Sequence, residues 1–291
     1  MKRCLLLFSL ALCLLASCGD ANKAYVKKAV RMMDKRGLYA EGPAWEAAKD
    51  SALCVSPQTL EEAQEIVREA LKVAGGKHSF LLTANKVQEA NQAEWIMPSF
   101  EKSEDGVAII TLPAFSGNGE DAPKYANSVL DVVSEDLKGV VIDLRGNTGG
   151  DMYPMISAVH RFLPDDAILR FKHRGGTSPV STSYVNRVMG VTPRERIVCP
   201  VAILTDSLTA SSGEAVLICF RGLDNVCVFG KPTAGYASSN VPLPMPDGSK
   251  LVLTTGCDVA RTGEIFCDDP IEPDVLSDNP LTEALAWIRE R

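Results

Sequence analysis

Hydrophobic and polar positions alternate along this chain with two different periods. Between residues 22 and 74 the period is helical. Three segments, near 22–36, 43–54 and 57–74, are punctuated by Gly37 and Gly42 and then by Ser56-Pro57. The third places Leu60, Ala63, Ile66, Val67, Ala70 and Leu71 on one face, and Thr59 followed by Glu62 carries a capping-box signature. From Val107 short apolar runs alternate with helical spacing. Residues 106–113 predict a strand, 121–137 a helix, and 139–144 a strand with the continuous apolar character of a buried parallel one. A helix at 152–163, a strand at 201–204, a helix from Ser211 and a strand at 226–229 continue the alternation. Residues 240–260 predict a hairpin turning at Asp247-Gly248, and 281–289 a closing helix.

This order predicts an α/β fold: a mixed sheet with flanking helices over residues 76–291, preceded by a small helical bundle at 18–75. Two stretches break the rhythm. Residues 83–100 are polar without periodicity, and 167–196 are dominated by Arg, Lys, Gly, Ser and Thr. Both are expected to be cap elements.

The first residues change the picture of where the chain works. Lys2 and Arg3 precede an apolar run from Leu5 to Leu15, too short to span a bilayer as a settled helix. The run ends in Leu15-Ala16-Ser17-Cys18, which resembles the lipobox of a bacterial lipoprotein signal. A signal peptide at 1–17 and lipidation of Cys18 are therefore expected. They would leave the mature chain anchored to a bacterial membrane in the cell envelope, outside the cytoplasm. An ordinary secretory signal is the alternative. The net charge of −7 leaves no basic surface to neutralise phosphates and excludes nucleic acid as the main partner.

Of nine cysteines, Cys4 and Cys13 depart with the signal and Cys18 is the expected lipid acceptor. The other six show no metal-ligand spacing, so neither a metal nor a cofactor is expected. Cys257 and Cys267 flank a hairpin (DVARTGEIF) in an oxidising compartment and are the candidate disulfide. Cys199, Cys219 and Cys227 lie in or beside apolar stretches and suit buried thiols.

Two loops carry candidate chemistry. The strand VVIDLR ends in Gly146, Asn147, Gly149 and Gly150, at the carboxyl end of an α/β strand where ligands bind. The second loop, TASSGE at 209–214, follows the strand ending at Leu204 and turns directly into helical spacing. A serine at such a corner projects its hydroxyl above the sheet, beside the free N–H groups of a helix start. Taken alone, a Ser/Thr-rich helix start is more often a cap. Small residues at 210–213 and the glycine loop favour a nucleophile at Ser211. A serine also needs a base. Of three histidines, His160 lies in a helix, His173 in the basic stretch, and His78 on the Gly75-Gly76 loop, which makes His78 the best placed.

Taken together, DLRGNTGG, LTDSLTASSGEAV, FGKPTAGY and IEPDV resemble the tail-specific, C-terminal-processing serine peptidase superfamily, in the right order from about residue 76 to the end. The resemblance implies a ClpP/crotonase-like core and aligns the family's Thr-Ala-Ser-Ala-x-Glu motif with 209–214, placing the nucleophile at Ser211. It suggests an oxyanion hole from the N–H groups of Gly150 and Ser212, and substrate-binding or orienting roles for Asn147, Gly149, Tyr236 and Glu214. Many members use a lysine base in Thr-Phe-Gly-Lys; here Thr233-Ala234-Gly235-Tyr236 stands instead, with Lys231 five residues too early. GGKHSF with TASSGE and DLRGNTGG is similar to the branch that includes the nisin resistance protein, in which a Ser-His dyad maps onto Ser211 and His78. Too few residues separate His78 from Val107 for a PDZ domain. The implied activity is endopeptidic cleavage of peptides or unfolded protein tails near their C-termini. The alternatives are a Ser-Lys peptidase using Lys231 and a non-catalytic peptide-binding lipoprotein of the same fold.

Overall fold

The computed structural model describes residues 2–291, with side chains described from Gly19 onward. The expected leader at 1–17 and Cys18 lie outside the residues whose side chains are described. Among the described residues no helix is long and apolar enough to cross a membrane. The chain forms two compact units, one from residues 1–89 with 240–256 and the other from 90–239 with 257–291.

In the first unit three helices, Lys2–Arg36, Gly42–Cys54 and Leu60–Gly75, bury Val26, Met33, Trp45, Val67 and Leu71 against Leu251 and Leu253. Trp45 is fully buried, and its indole N–H finds Asp34 Oδ1 at 2.8 Å. The third helix starts where its cap predicts. Thr59 Oγ1 accepts the Glu62 N–H at 3.2 Å, while the Glu62 carboxylate reaches the N–H of Gln58, one residue upstream of the reciprocal partner. It stops at Gly76 (φ 68°), whose N–H returns to the Lys72 carbonyl. Phe80–Leu82 then pairs antiparallel with Lys250–Val252.

The second unit holds a six-stranded sheet in the order Val275–Leu276, Val226–Gly230, Val201–Thr205, Gly139–Asp143, Val107–Thr111, Ser99–Lys102. The first five strands pair in parallel and the last is antiparallel. Alternate residues face opposite sides. Val140, Ile142, Val201 and Ile203 pack toward the helices Ala122–Leu130, Met152–Val159 and Ser212–Phe220, while Val141, Ala202 and Leu204 pack toward Ala284 and Ile288 of the helix Pro280–Arg289. Burial on both faces is why these strands read as unbroken apolar runs.

Three segments differ from expectation. Residues 83–100, expected as a cap, hold a helix, Ala84–Gln92, and run into the sheet's edge strand Ser99–Lys102. The helix predicted to Leu137 ends at Leu130. Val133 and Leu137 still reach the core from irregular chain beyond it, so helical spacing persists where β-branched Val132 and Val133, followed by Ser134, have ended the helix. Residues 167–196 are richer in core contacts than their composition implies. They form a hairpin, Leu169–His173 with Gly176–Val180, and a helix, Thr182–Met189, contributing Ile168, Leu169, Val180 and Val185 to the main core. Near the chain's end, Asp258 and Val259 pair with Phe266 and Ile265, and a disulfide joins Cys257 to Cys267. Closing a loop of that size contributes about 2–3 kcal/mol by restricting the unfolded chain.

Candidate active site

At the carboxyl ends of strands Gly139–Asp143 and Val201–Thr205, two loops of the second unit lock together. Asp206 caps the second loop, its carboxylate accepting from the N–H groups of Leu208 and Thr209 (2.9 and 3.0 Å) and, across the gap, from Gly146 at 3.1 Å. Thr209 Oγ1 donates to the Leu144 carbonyl at 2.9 Å, the Ala210 N–H to the Asn147 carbonyl at 2.9 Å, and Ser212 Oγ to the Gly150 carbonyl at 2.6 Å. Asn147 is fully buried. Its Nδ2 donates to the Leu112 carbonyl and its Oδ1 accepts the Gly149 N–H, so its side chain shapes the loop from within.

Ser211 occupies the corner between strand and helix with φ 52° and ψ −114°. Among the described residues it is the one non-glycine with positive φ. Such a conformation costs on the order of 1–3 kcal/mol and persists only where its surroundings dictate it. Here the dictating group is Glu214, three residues on and fully buried. One carboxylate oxygen accepts the N–H groups of Ser211 (2.7 Å) and Tyr236 (2.8 Å); the other accepts the Gly235 N–H at 2.9 Å and the Thr233 hydroxyl. Thr233 Oγ1 in turn accepts the Ile271 N–H at 2.8 Å. One buried carboxylate thus ties the corner to the turn at 233–236. Tyr236 contributes its backbone to this bond and is half-buried.

Glycines 149 and 150 have φ of 103° and 110°, which L side chains avoid. A Cβ on Gly149 would lie 2.9 Å from Ser211 Cβ and 3.1 Å from the Ser212 nitrogen; one on Gly150 would lie 1.9 Å from the Phe115 carbonyl oxygen. Phe115 and Gly150 form a parallel bridge whose bonds run from Phe115 N–H to the Gly149 carbonyl and from Asp151 N–H to the Phe115 carbonyl. Those bonds leave the Gly150 N–H outside the bridge. Neither it nor the Ser212 N–H meets a protein acceptor among the described residues. Two unpaired donors therefore flank a strained, half-buried serine, an arrangement suited to stabilising charge on an acyl oxygen. Replacing Gly149 with alanine pushes a methyl group into this corner. It is expected to slow labelling of Ser211 by a fluorophosphonate probe at least about 10²-fold, with the far-ultraviolet circular dichroism unchanged.

The basic candidates are distributed as follows. His78, in the first unit, is buried, with the Asn240 Nδ2 donating to its carbonyl at 2.9 Å. The neighbouring Ser79 hydroxyl fixes the loop through the Gly75 carbonyl and Thr254. In the second unit, His160 has both ring nitrogens engaged, Nδ1 with the Ser157 carbonyl at 2.7 Å and Nε2 accepting the Arg194 N–H at 3.0 Å, and burial lowers its pKa. His173 meets Ser178 on the exposed face of its hairpin. Lys231 is more than half exposed and pairs with Asp278 at 3.1 Å. Among the described residues no group of His, Cys, Asp and Glu has metal-binding geometry.

Sequence reading passed over Asp206 and Thr233, which hold the corner as firmly as the residues it chose. An Asp followed three residues later by Thr at a strand end is a turn signal that marks Asp206; Thr233 has no comparable signal.

A family model described as Peptidase family S41 matches residues 106–277. The nisin-resistance protein of Lactococcus lactis subsp. lactis is 33% identical over 277 residues, 92% of this chain and 87% of that protein. The carboxy-terminal processing protease CtpA of Bacillus subtilis is 24% identical over 65% of this chain, which spans 38% of that longer protein. Among solved structures, a lipoprotein from Streptococcus agalactiae superposes with a TM-score of 0.86 at 30% identity, covering 93% of this chain and 96% of the other.

Proposed function

The chain belongs to peptidase family S41, and we propose that it is an envelope lipoprotein serine endopeptidase that cleaves peptides or protein tails near the C-terminus. The observation that carries this reading is the strained corner at Ser211, held by Glu214 and flanked by the unpaired N–H groups of Gly150 and Ser212. Ser211 is also the N-cap of its helix, in a capping box with Glu214, but serine ordinarily caps from the relaxed extended region, so capping alone does not account for the strain.

In this reading Ser211 Oγ attacks the scissile carbonyl carbon while His78 takes its proton. The carbonyl oxygen, now negative, is held by the N–H groups of Gly150 and Ser212. Collapse of the adduct breaks the C–N bond as His78 returns the proton to the leaving amine, and water then releases the acyl group by the same steps. The other candidate bases support the choice of His78 by being otherwise engaged: His160 at both nitrogens, Lys231 with Asp278. Anchoring at Cys18 and an envelope location are supported by the likeness to a streptococcal lipoprotein and by the lipobox-like sequence.

A fluorophosphonate probe is expected to label the wild-type chain stoichiometrically and to leave Ser211→Ala unlabelled. A wild-type chain that takes no label would instead favour a peptide-binding lipoprotein. Peptides with free and blocked C-termini, digested in parallel, report whether tails are selected: cleavage that ignores the block removes the C-terminal preference.

A further inference from the structure

We propose that Asp258 is a positioning residue for Ser211, buried behind the nucleophile helix beside the turn that Glu214 ties to the corner. The role rests on the reading of Ser211 as nucleophile. Asp258 lies near the end of the strand Lys250–Ala260, beside the bridged Cys257. It is 3% exposed, and its Oδ1 is buried without a hydrogen-bond partner among the described residues. Its backbone N–H approaches the carbonyl of Ala237 at 3.5 Å, directly after Tyr236, whose N–H is one of the four groups held by Glu214. Asp258 and the turn that fixes the nucleophile are therefore neighbours through the backbone.

The groups facing Asp258 are few. From the nucleophile helix come Glu214 and Cys219, and Arg261, which follows Asp258's own strand, faces Cys219. Arg261 donates to Asp166 at 2.8 Å and to the Cys219 carbonyl at 3.3 Å, and its Nε is buried without a hydrogen-bond partner among the described residues. Burial raises the Cys219 thiol far above its usual range, so it stays protonated. Burial first, and the Glu214 charge second, push Asp258 up to about 8.

Ionising Asp258 sets a second buried carboxylate against Glu214. Relief comes from water entry and outward movement of the turn at 233–237, which takes with it the bonds that hold the Ser211 N–H. The sign for stability follows. The native chain keeps a proton that the unfolded chain releases between about pH 4 and 8, so stability contributed below that window is lost as pH rises through it.

The test compares full-length wild type with Asp258→Asn, which preserves shape and cannot ionise. Fluorophosphonate labelling rates and melting temperatures are measured from pH 5 to 9.5. Expected is a wild-type labelling rate that falls about tenfold above pH 8 and an Asn variant that keeps its rate there. The wild-type melting temperature should also fall more steeply with pH. Labelling with the same alkaline decline in both chains overturns the positioning role alone. Absence of wild-type labelling at every pH overturns the nucleophile reading and this role with it. If the Asn variant fails to fold, the carboxyl ¹³C shift of Asp258 in the wild type decides: titration near pH 8 supports the neutral carboxyl, and titration in the ordinary carboxylate range overturns it.

Discussion

Ser211→Ala and His78→Ala each lower peptide cleavage by about 10⁴-fold or more, while Lys231→Ala stays within about twofold of wild type. The first loss follows from removing the attacking atom. Without Oγ there is no acyl-enzyme, and what survives is the modest acceleration from two N–H donors and substrate positioning. The second follows from the weakness of an alcohol at neutral pH, which needs a group of pKa near 7 to accept its proton as it attacks. A lysine does this only when burial or a neighbouring cation depresses its pKa. Lys231 is more than half exposed, and its ammonium is taken up by an ion pair with Asp278 at 3.1 Å. Cleavage rates of one fluorogenic peptide across the three variants decide the matter. Activity retained in His78→Ala and lost in Lys231→Ala transfers the role of base to the lysine.

The α/β order was legible because the sheet's strands are buried on both faces. Val140 to Ile142 and Val201 to Leu204 are unbroken apolar runs for that reason, and such runs, separated by helical spacing, fit few architectures besides a helix-flanked parallel sheet. The helix ending at Leu130 was not, because Val133 and Leu137 satisfy the core from irregular chain at a spacing that mimics helix. The polar composition of 167–196 concealed its core residues in the same way: a hairpin needs only alternate apolar positions, and here Leu169 and Val180 suffice to seat it.

At the site, the glycines and Ser211 could be picked out because they sit at strand ends in loops of small residues. What remained hidden was the direction of each bond. Asn147 resembles a substrate-facing amide in sequence, yet its side chain spends both functional ends on Leu112 and Gly149. Glu214 resembles an ordinary first-turn acid that favours a helix start, yet it gathers donors from residues about twenty positions away. Long-range polar partnerships leave no period in a sequence. Asp258 left a weak trace, as a lone acid in the otherwise uncharged strand stretch Leu251–Ala260.

Glu214→Gln destabilises the chain by about 2–3 kcal/mol and slows fluorophosphonate labelling of Ser211 at least about 10²-fold. The carboxylate accepts four hydrogen bonds with two oxygens; an amide accepts with one. The amide nitrogen has its best position on the Thr233 side, because the Thr233 hydroxyl can rotate. The Gly235 N–H cannot, and it is left facing another donor inside a fully buried pocket. The remaining oxygen keeps Ser211 and Tyr236 with neutral rather than charge-assisted bonds, about half as strong. Strain at φ 52° is then opposed by less, and Ser211 relaxes toward the extended geometry of an ordinary cap, carrying Oγ away from the donors at Gly150 and Ser212. Glu214→Ala removes both acceptor oxygens and with them all four bonds, and is expected to cost about 3–5 kcal/mol, enough to unfold a chain of marginal stability. Urea denaturation and labelling rates of the Gln variant are the measurements. A variant within about 0.5 kcal/mol of wild type that labels at the wild-type rate would mean the corner is held by the interlocked glycine loop, with the carboxylate a bystander.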